Sequence, residues 1–142
     1  LALAAVGLAI TAHDYLRIEE DFFALRFEHQ RLARPAHALA PEVMALTQLQ
    51  DMVWLARIDP TRVHAAPDLD RARRTAMLLP SVMAQYKLAS MYALAGQPER
   101  AQYWLRVLMH MNRFDPQAVR AVQAQWQEQA LRHPAMSSVA WP

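Results

Sequence analysis

The stretch Tyr-Ala-Leu-Ala-Gly-Gln-Pro-Glu-Arg-Ala, residues 92–101, holds one of the two glycines of this chain and lies between two strongly helical runs. A helix commonly ends with a residue in the left-handed conformation, which glycine adopts without a clash at Cβ. Gly96 therefore predicts the end of one helix. Pro98 cannot continue that helix and suits the first turn of the next one. The two runs are predicted to fold back on each other as an antiparallel hairpin.

Prolines separate the other apolar-periodic runs in the same way. We expect one long helix from the N-terminus to about residue 34, with an inward apolar face made of Tyr15, Ile18, Phe22 and Leu25. A second helix follows Pro41 and has Ala56 on its apolar stripe, and a third ends at Pro80. Ser81 and Asp115 are predicted to cap the helices that begin beside them. No alternating pattern indicates a strand, so the predicted fold is all-α.

The hairpin has the spacing of a tetratricopeptide repeat, a helical hairpin unit of about 34 residues. If the unit begins at Val82, small and large residues fall where two helices approach closely, and the period continues into a half-repeat after Pro116. The predicted repeat residues are Leu88, Ala89, Tyr92, Gly96, Ala101, Leu105, Val122 and Trp126. Gln85 departs from the pattern, since it stands where the repeat prefers tryptophan. A lone repeat is not self-sufficient, so the upstream long-helix region is expected to pack on it.

We predict four segments: the end of a transmembrane helix (1–12), an upstream helical region (13–80), the tetratricopeptide-like repeat with its half-repeat (81–134), and a tail (135–142). Residues 1–12 carry no charge, but crossing a bilayer alone takes about 20 apolar residues. A signal-peptide core and an ordinary buried helix are the alternatives, although the start and end typical of a signal peptide are missing. Because the chain begins at Leu1 and not at methionine, we expect a fragment or a processed product.

The sequence contains no recognisable catalytic, cofactor or metal motif. It has no cysteine, its six histidines lack metal-ligand spacing, and no glycine-rich phosphate loop is present. The net charge of +2 is small and scattered, which argues against a nucleic-acid partner. Arg71, Arg73 and Arg74 are interpreted as a helix surface, with an anion or phosphate contact as the alternative. The methionines are assigned mostly to the core, and an exposed subset is the alternative lining of a groove.

An uncharged helix end that runs into His-Asp-Tyr-Leu-Arg-Ile, residues 13–18, then a long polar helix, then the lone repeat around residues 95–101, resembles a known family. It is similar to the C-terminal soluble region of the membrane-bound polymerase and O-oligosaccharyltransferase family, in the O-antigen ligase and polymerase superfamily. The resemblance covers almost the whole chain. It implies a virulence-associated parent of the glycosyltransferase type in the bacterial inner membrane. That parent would move a lipid-linked glycan in the periplasm, with catalytic loops upstream of this region.

The leading hypothesis is a periplasmic helical module that supports recognition and carries no catalytic residue. Its implied partners are the remainder of the membrane enzyme and an acceptor protein such as a pilin, with the lipid-linked glycan reached only through the parent. The alternative is a membrane-tethered tetratricopeptide adaptor for protein–protein interaction unrelated to glycan transfer. A third hypothesis is a free-standing enzyme whose active site has no recognisable motif.

Overall fold

The computed structural model describes residues 2–29 and 43–142, with the backbone alone for residues 20–29. The described residues form helices joined by turns and contain no strand, which confirms the all-α prediction. The helices are α1 (Ala2–His29), α2 (Thr47–Arg57), α3 (Ala66–Leu78), α4 (Val82–Leu94), α5 (Pro98–Met111), α6 (Pro116–Arg132) and α7 (Pro134–Ser137).

Helix starts follow the predicted capping chemistry. The Ser81 hydroxyl accepts a hydrogen bond from the backbone N–H of Ala84 at 3.1 Å, and the Asp115 carboxylate accepts one from Ala118 at 3.0 Å. Each bond satisfies an N–H group that the first helical turn leaves without an intrahelical partner. Proline occupies the first turn of α3, α5, α6 and α7, where the missing N–H costs nothing.

The turn between α4 and α5 is built on Gly96, whose φ is +70°. The backbone N–H of Gln97 donates to the carbonyl of Tyr92 at 2.9 Å, and the N–H of Gly96 donates to Ala93 at 3.1 Å. This pair of bonds is the Schellman ending, in which a left-handed residue turns the last N–H groups back onto the helix. The predicted left-handed glycine cap is confirmed.

The chain divides into two compact units, Leu1–Arg57 and Ile58–Pro142. This division differs from the four segments predicted from the sequence, because α3 belongs with the hairpin and not with α1. In the first unit α1 packs against α2. The apolar core there consists of Ile18, Val43 and Val53, with Leu46 and Leu49 partly buried against it.

In the second unit α4 is the central helix. It packs against α3, α5, α6 and α7, and it is buried on nearly every side from Gln85 to Ala93. Of the region upstream of the hairpin, α3 packs on α4, and the packing of the long helix on the repeat stays a prediction. A helix that is apolar all round needs neighbours on all sides, and α4 has them.

Residues 135–142, predicted as a tail, are part of this core. Met136 is fully buried and Val139 is 4% exposed. The Trp141 ring lies 6.2 Å from the Trp126 ring, centroid to centroid. The sequence did not indicate this packing, because a helix of four residues, α7, is too short to show periodicity.

Several details of the first unit differ from the sequence expectations or lie outside the described residues. Tyr15 was expected to face inward but is 56% exposed, whereas Ile18 is buried. Ala56, expected on the apolar stripe of α2, is exposed. The second helix begins at Thr47, and residues 43–46 precede it as a turn. The side chains of Phe22 and Leu25, and the predicted continuation of α1 beyond residue 29, lie outside the described residues.

Candidate functional site

The predicted repeat residues lie in the core of the second unit. Gly96 makes the turn, and each of the other seven is at most 4% exposed: Leu88, Ala89, Tyr92, Ala101, Leu105, Val122 and Trp126. The structure brings them together in α4, α5 and α6, with the most extensive helix pair formed by α4 and α5. They are packing residues of this core. That the hairpin is a tetratricopeptide repeat stays a prediction.

Gln85, which departs from the repeat pattern, has a defined role in packing. Its side chain is fully buried. Its Oε1 accepts a hydrogen bond from Nδ2 of Asn112 at 2.9 Å, and its Nε2 lies 3.3 Å from Sδ of Met111. Asn112 Nδ2 also donates to the carbonyl of Leu108 at 2.8 Å. Because a buried amide needs partners, this network joins the start of α4 to the end of α5.

The loop before α3 is held by two charged groups. Lys87 Nζ donates to the carbonyl of Ile58 at 3.0 Å, and burial lowers the pKa of this lysine while the nearby charge of Asp59 opposes that shift. The Asp59 carboxylate accepts the Thr61 hydroxyl at 2.6 Å and the Thr61 N–H at 2.9 Å. These two bonds lower the pKa of Asp59, and the bond from the Thr61 hydroxyl has the larger effect. Both groups are engaged in fixing the loop.

Asp14 is the most unusual charged residue of the first unit, because its side chain is fully buried. One carboxylate oxygen, Oδ2, accepts three successive backbone N–H groups: Met44 at 2.9 Å, Ala45 at 2.6 Å and Leu46 at 3.2 Å. The bond from Ala45 is the main cause that lowers the pKa of Asp14. The other oxygen lies 3.4 Å from Nδ1 of His13. The side chain thus fixes the turn that leads into α2.

Sequence reasoning included Asp14 only in the resemblance and did not identify this role. Its first partner, Met44, is 30 positions further along the chain, so no local spacing marks the interaction. The available signal was that Asp14 lies one helical turn before Ile18 and therefore shares the face of the helix that Ile18 buries. A solvated carboxylate has no reason to lie on that face. That signal is weak without the turn at residues 43–46.

An open cleft of about 540 Å³ lies between α3, α4 and α5 in the second unit. Its principal lining side chains are Asp70 and Arg73 from α3, Tyr92 from α4, and Arg100, Tyr103 and Trp104 from α5. The cleft therefore combines two guanidinium groups, one carboxylate and three aromatic rings within a space suited to a small ligand.

The contacts inside the cleft show how these side chains are arranged. The guanidinium carbon of Arg100 lies 5.7 Å from the centroid of the Tyr92 ring, within cation–π range. Arg73 Nε lies 3.8 Å from the Asp70 carboxylate on the same helix. The rings of Tyr103 and Trp104 meet edge to face at 85°, with centroids 5.7 Å apart. Tyr103 is 55% exposed and Trp104 only 8%, so Tyr103 offers the accessible aromatic surface.

The cleft was only partly foreseen. Of the three arginines considered as an anion contact, only Arg73 lines the cleft. Arg74 is exposed elsewhere on α3. The backbone carbonyl of Arg71 accepts a hydrogen bond from the Thr75 hydroxyl. The contribution of Arg100 was missed, because Arg100 and Tyr92 come together only when α5 folds back on α4. Among the described residues, no three His, Cys, Asp or Glu side chains are grouped closely enough to hold a metal ion.

The fold and the cleft define an all-helical module with a mixed aromatic and charged surface site. The chain belongs to the family described as the C-terminal region of the virulence factor membrane-bound polymerase, whose family model matches residues 1–129. This confirms the resemblance inferred from the sequence. A search of curated proteins found no similar sequence, and a search of solved structures found no similar fold. In the described ranges, 2–29 and 43–142, no helix is both long enough and apolar enough to cross a bilayer.

Proposed function

We propose that this chain is a periplasmic helical module of a membrane glycan polymerase or oligosaccharyltransferase, and that it supports recognition and not catalysis. What it recognises is either an acceptor protein or another part of the same enzyme. The observation that carries the proposal is the family match over residues 1–129, which makes the chain the C-terminal region of a membrane-bound polymerase.

The exposed apolar start of α1 supports attachment to a membrane. Leu3 is 89% exposed, Leu8 72% and Val6 56%, in a segment that carries no charge through residue 12. An apolar surface of this kind usually faces another protein or a membrane. We propose that it continues from, or packs among, membrane helices of the parent protein.

The hydrogen bonding and exposure of the charged side chains support a role in recognition. In the part of the chain that the structure describes, the two carboxylates with lowered pKa, Asp14 and Asp59, both accept backbone N–H bonds, so neither is poised as a general base. Lys87 is bound to a backbone carbonyl. In contrast, the cleft side chains Arg100 and Tyr103 are exposed on α5, where a partner can reach them.

The test uses the intact membrane protein and single substitutions in place of a deletion. Arg100→Ala and Tyr103→Ala should reduce transfer of lipid-linked glycan to the acceptor, while the amount of enzyme in the membrane stays at the wild-type level. Arg120→Ala is the matched control, because Arg120 is exposed on α6 and does not line the cleft. Unchanged transfer in both cleft variants would contradict the recognition role and favour an adaptor unrelated to glycan transfer. Glycan transfer by the isolated 142-residue chain would contradict the non-catalytic role.

A further inference from the structure

We propose that the cleft between α3, α4 and α5 binds a sugar ring that carries a carboxylate group. This inference rests on the proposed function for the cleft as a recognition surface and goes beyond it, since it assigns a sugar ligand in addition to a protein partner. It is argued from the charges, the aromatic faces and the size of the cleft, taken in turn.

The charge of the cleft calls for an anion. Arg100 lies over the Tyr92 ring and makes no ion pair with any described residue, so its fork of N–H donors is available. Arg100 also stands in the first turn of α5, where the helix dipole already favours negative charge. Glu99 occupies the same turn but does not line the cleft. A planar guanidinium binds a carboxylate through two parallel hydrogen bonds.

The carboxylate of Asp70 restricts the kind of anion. Its side chain is 61% exposed and its contact with Arg73 is long, at 3.8 Å, so much of its capacity to accept hydrogen bonds remains. A doubly charged phosphate would be repelled by this group. A ligand that carries one carboxylate and several hydroxyl donors satisfies both the arginines and the aspartate. Sugar acids have this combination of groups.

The aromatic side chains and the volume suit a ring. Tyr103 is 55% exposed and stands perpendicular to Trp104, so an apolar face of a ligand can lie against it. Met77 also lines the cleft and is 61% exposed. The volume of about 540 Å³ falls in the small-ligand range of roughly 300–1,000 Å³. It fits one or two rings better than an extended acidic peptide, which would require a longer groove.

Binding is measured on the intact membrane protein in detergent micelles, by titration calorimetry and ligand-observed nuclear magnetic resonance. The probes are methyl glucuronide and methyl glucoside, which differ only in the carboxylate, together with inorganic phosphate and a Glu-containing tripeptide. We expect the glucuronide to bind at least about tenfold more tightly than each of the other three, which is about 1.4 kcal/mol. Its affinity should also fall as salt is added, because the contact is partly exposed.

The variants locate the site. Arg100→Gln should weaken glucuronide binding at least about tenfold. Arg100→Lys should restore only part of it, because a lysine keeps the charge but lacks the planar fork. Arg120→Gln, on α6, should bind like the wild type. Equal binding of glucuronide and glucoside, tighter binding of phosphate or peptide, or an unchanged affinity in Arg100→Gln would overturn the proposal.

The transfer assay separates this inference from the proposed function. If Arg100→Gln lowers glycan transfer but the glucuronide does not bind, the cleft has a recognition role with another ligand, and the inference fails alone. If the glucuronide binds as expected but transfer is unaffected by cleft variants, the acidic-sugar site stands and the recognition role in transfer fails.

Discussion

Substituting Gly96 changes the α4–α5 turn without disturbing a packed side chain. A Cβ added at this position would meet no atom within 4 Å, and the residue is exposed. The energetic effect must therefore come from the backbone, which is held at a φ of +70° by the two hydrogen bonds of Gln97 and Gly96 to the end of α4.

The size of the effect follows from the left-handed conformation. A residue with a Cβ destabilises the folded state by about 1–2 kcal/mol in this conformation. The lower entropy of its unfolded chain offsets about 0.4–1 kcal/mol of that loss. We expect Gly96→Ala to cost about 1 kcal/mol. Gly96→Val should cost about 2 kcal/mol, since a β-branched residue is a poorer fit at positive φ. Gly96→Asn should cost less than alanine, because asparagine tolerates this conformation.

Gly7 provides the matched control for the same chemical change. It lies within α1, and a Cβ there would also meet nothing within 4 Å. Since its backbone is helical, Gly7→Ala should stabilise α1 by roughly 0.5–1 kcal/mol. Opposite signs at two glycines that both have open space would separate the conformational effect from any steric effect.

The Gly96 variants are measured by denaturation followed by tryptophan fluorescence in a Trp54→Phe background, and Gly7→Ala, which lies in the first unit, is measured by hydrogen exchange in α1. The three remaining tryptophans then report on the unit Ile58–Pro142. For a unit of this size, 1 kcal/mol shifts the melting temperature by about 4–8 °C. A Gly96→Val variant that melts with the wild type, or an asparagine variant worse than valine, would show that the turn does not depend on a left-handed residue.

Three further predictions concern buried side chains. Tyr92→Ala should lower the free energy of unfolding by about 3–5 kcal/mol, as measured by chemical denaturation, because it empties a site that is 2% exposed. Tyr86→Phe should raise the same quantity by about 1 kcal/mol, since the buried Tyr86 hydroxyl has no hydrogen-bond partner among the described residues; a loss of stability would reveal a partner. Asp14→Asn should speed hydrogen exchange in α2 at neutral pH. The pKa of Asp14 is lowered below its usual 3.8, so its stabilisation is complete above that pH and is lost below it. Variant and wild type should converge in acid, and a difference that persists there would contradict the role of the charge.

The sequence alone was sufficient for helices α3 to α6 of the second unit and for the turn between α4 and α5. The capping and turn residues act on backbone groups only three to five residues away; they are Ser81, Gly96, Pro98 and Asp115. Their effect can therefore be predicted from the order of residues along the chain. The spacing of Leu88, Ala89 and Leu105 likewise encodes a helix face, and all three are fully buried. Local chemistry with a fixed period is what a sequence records directly.

Only the tertiary structure decided the features that depend on distant partners. Asp14 becomes a buried cap because residues 44–46 fold back to it. The buried Gln85 side chain, near the start of α4, accepts its hydrogen bond from Asn112, which follows the end of α5. Arg73 and Arg100 line one cleft only after α3 and α5 pack on the same central helix. Such side chains have no characteristic spacing, because their geometry is set by how whole helices pack and not by the turn of any single one.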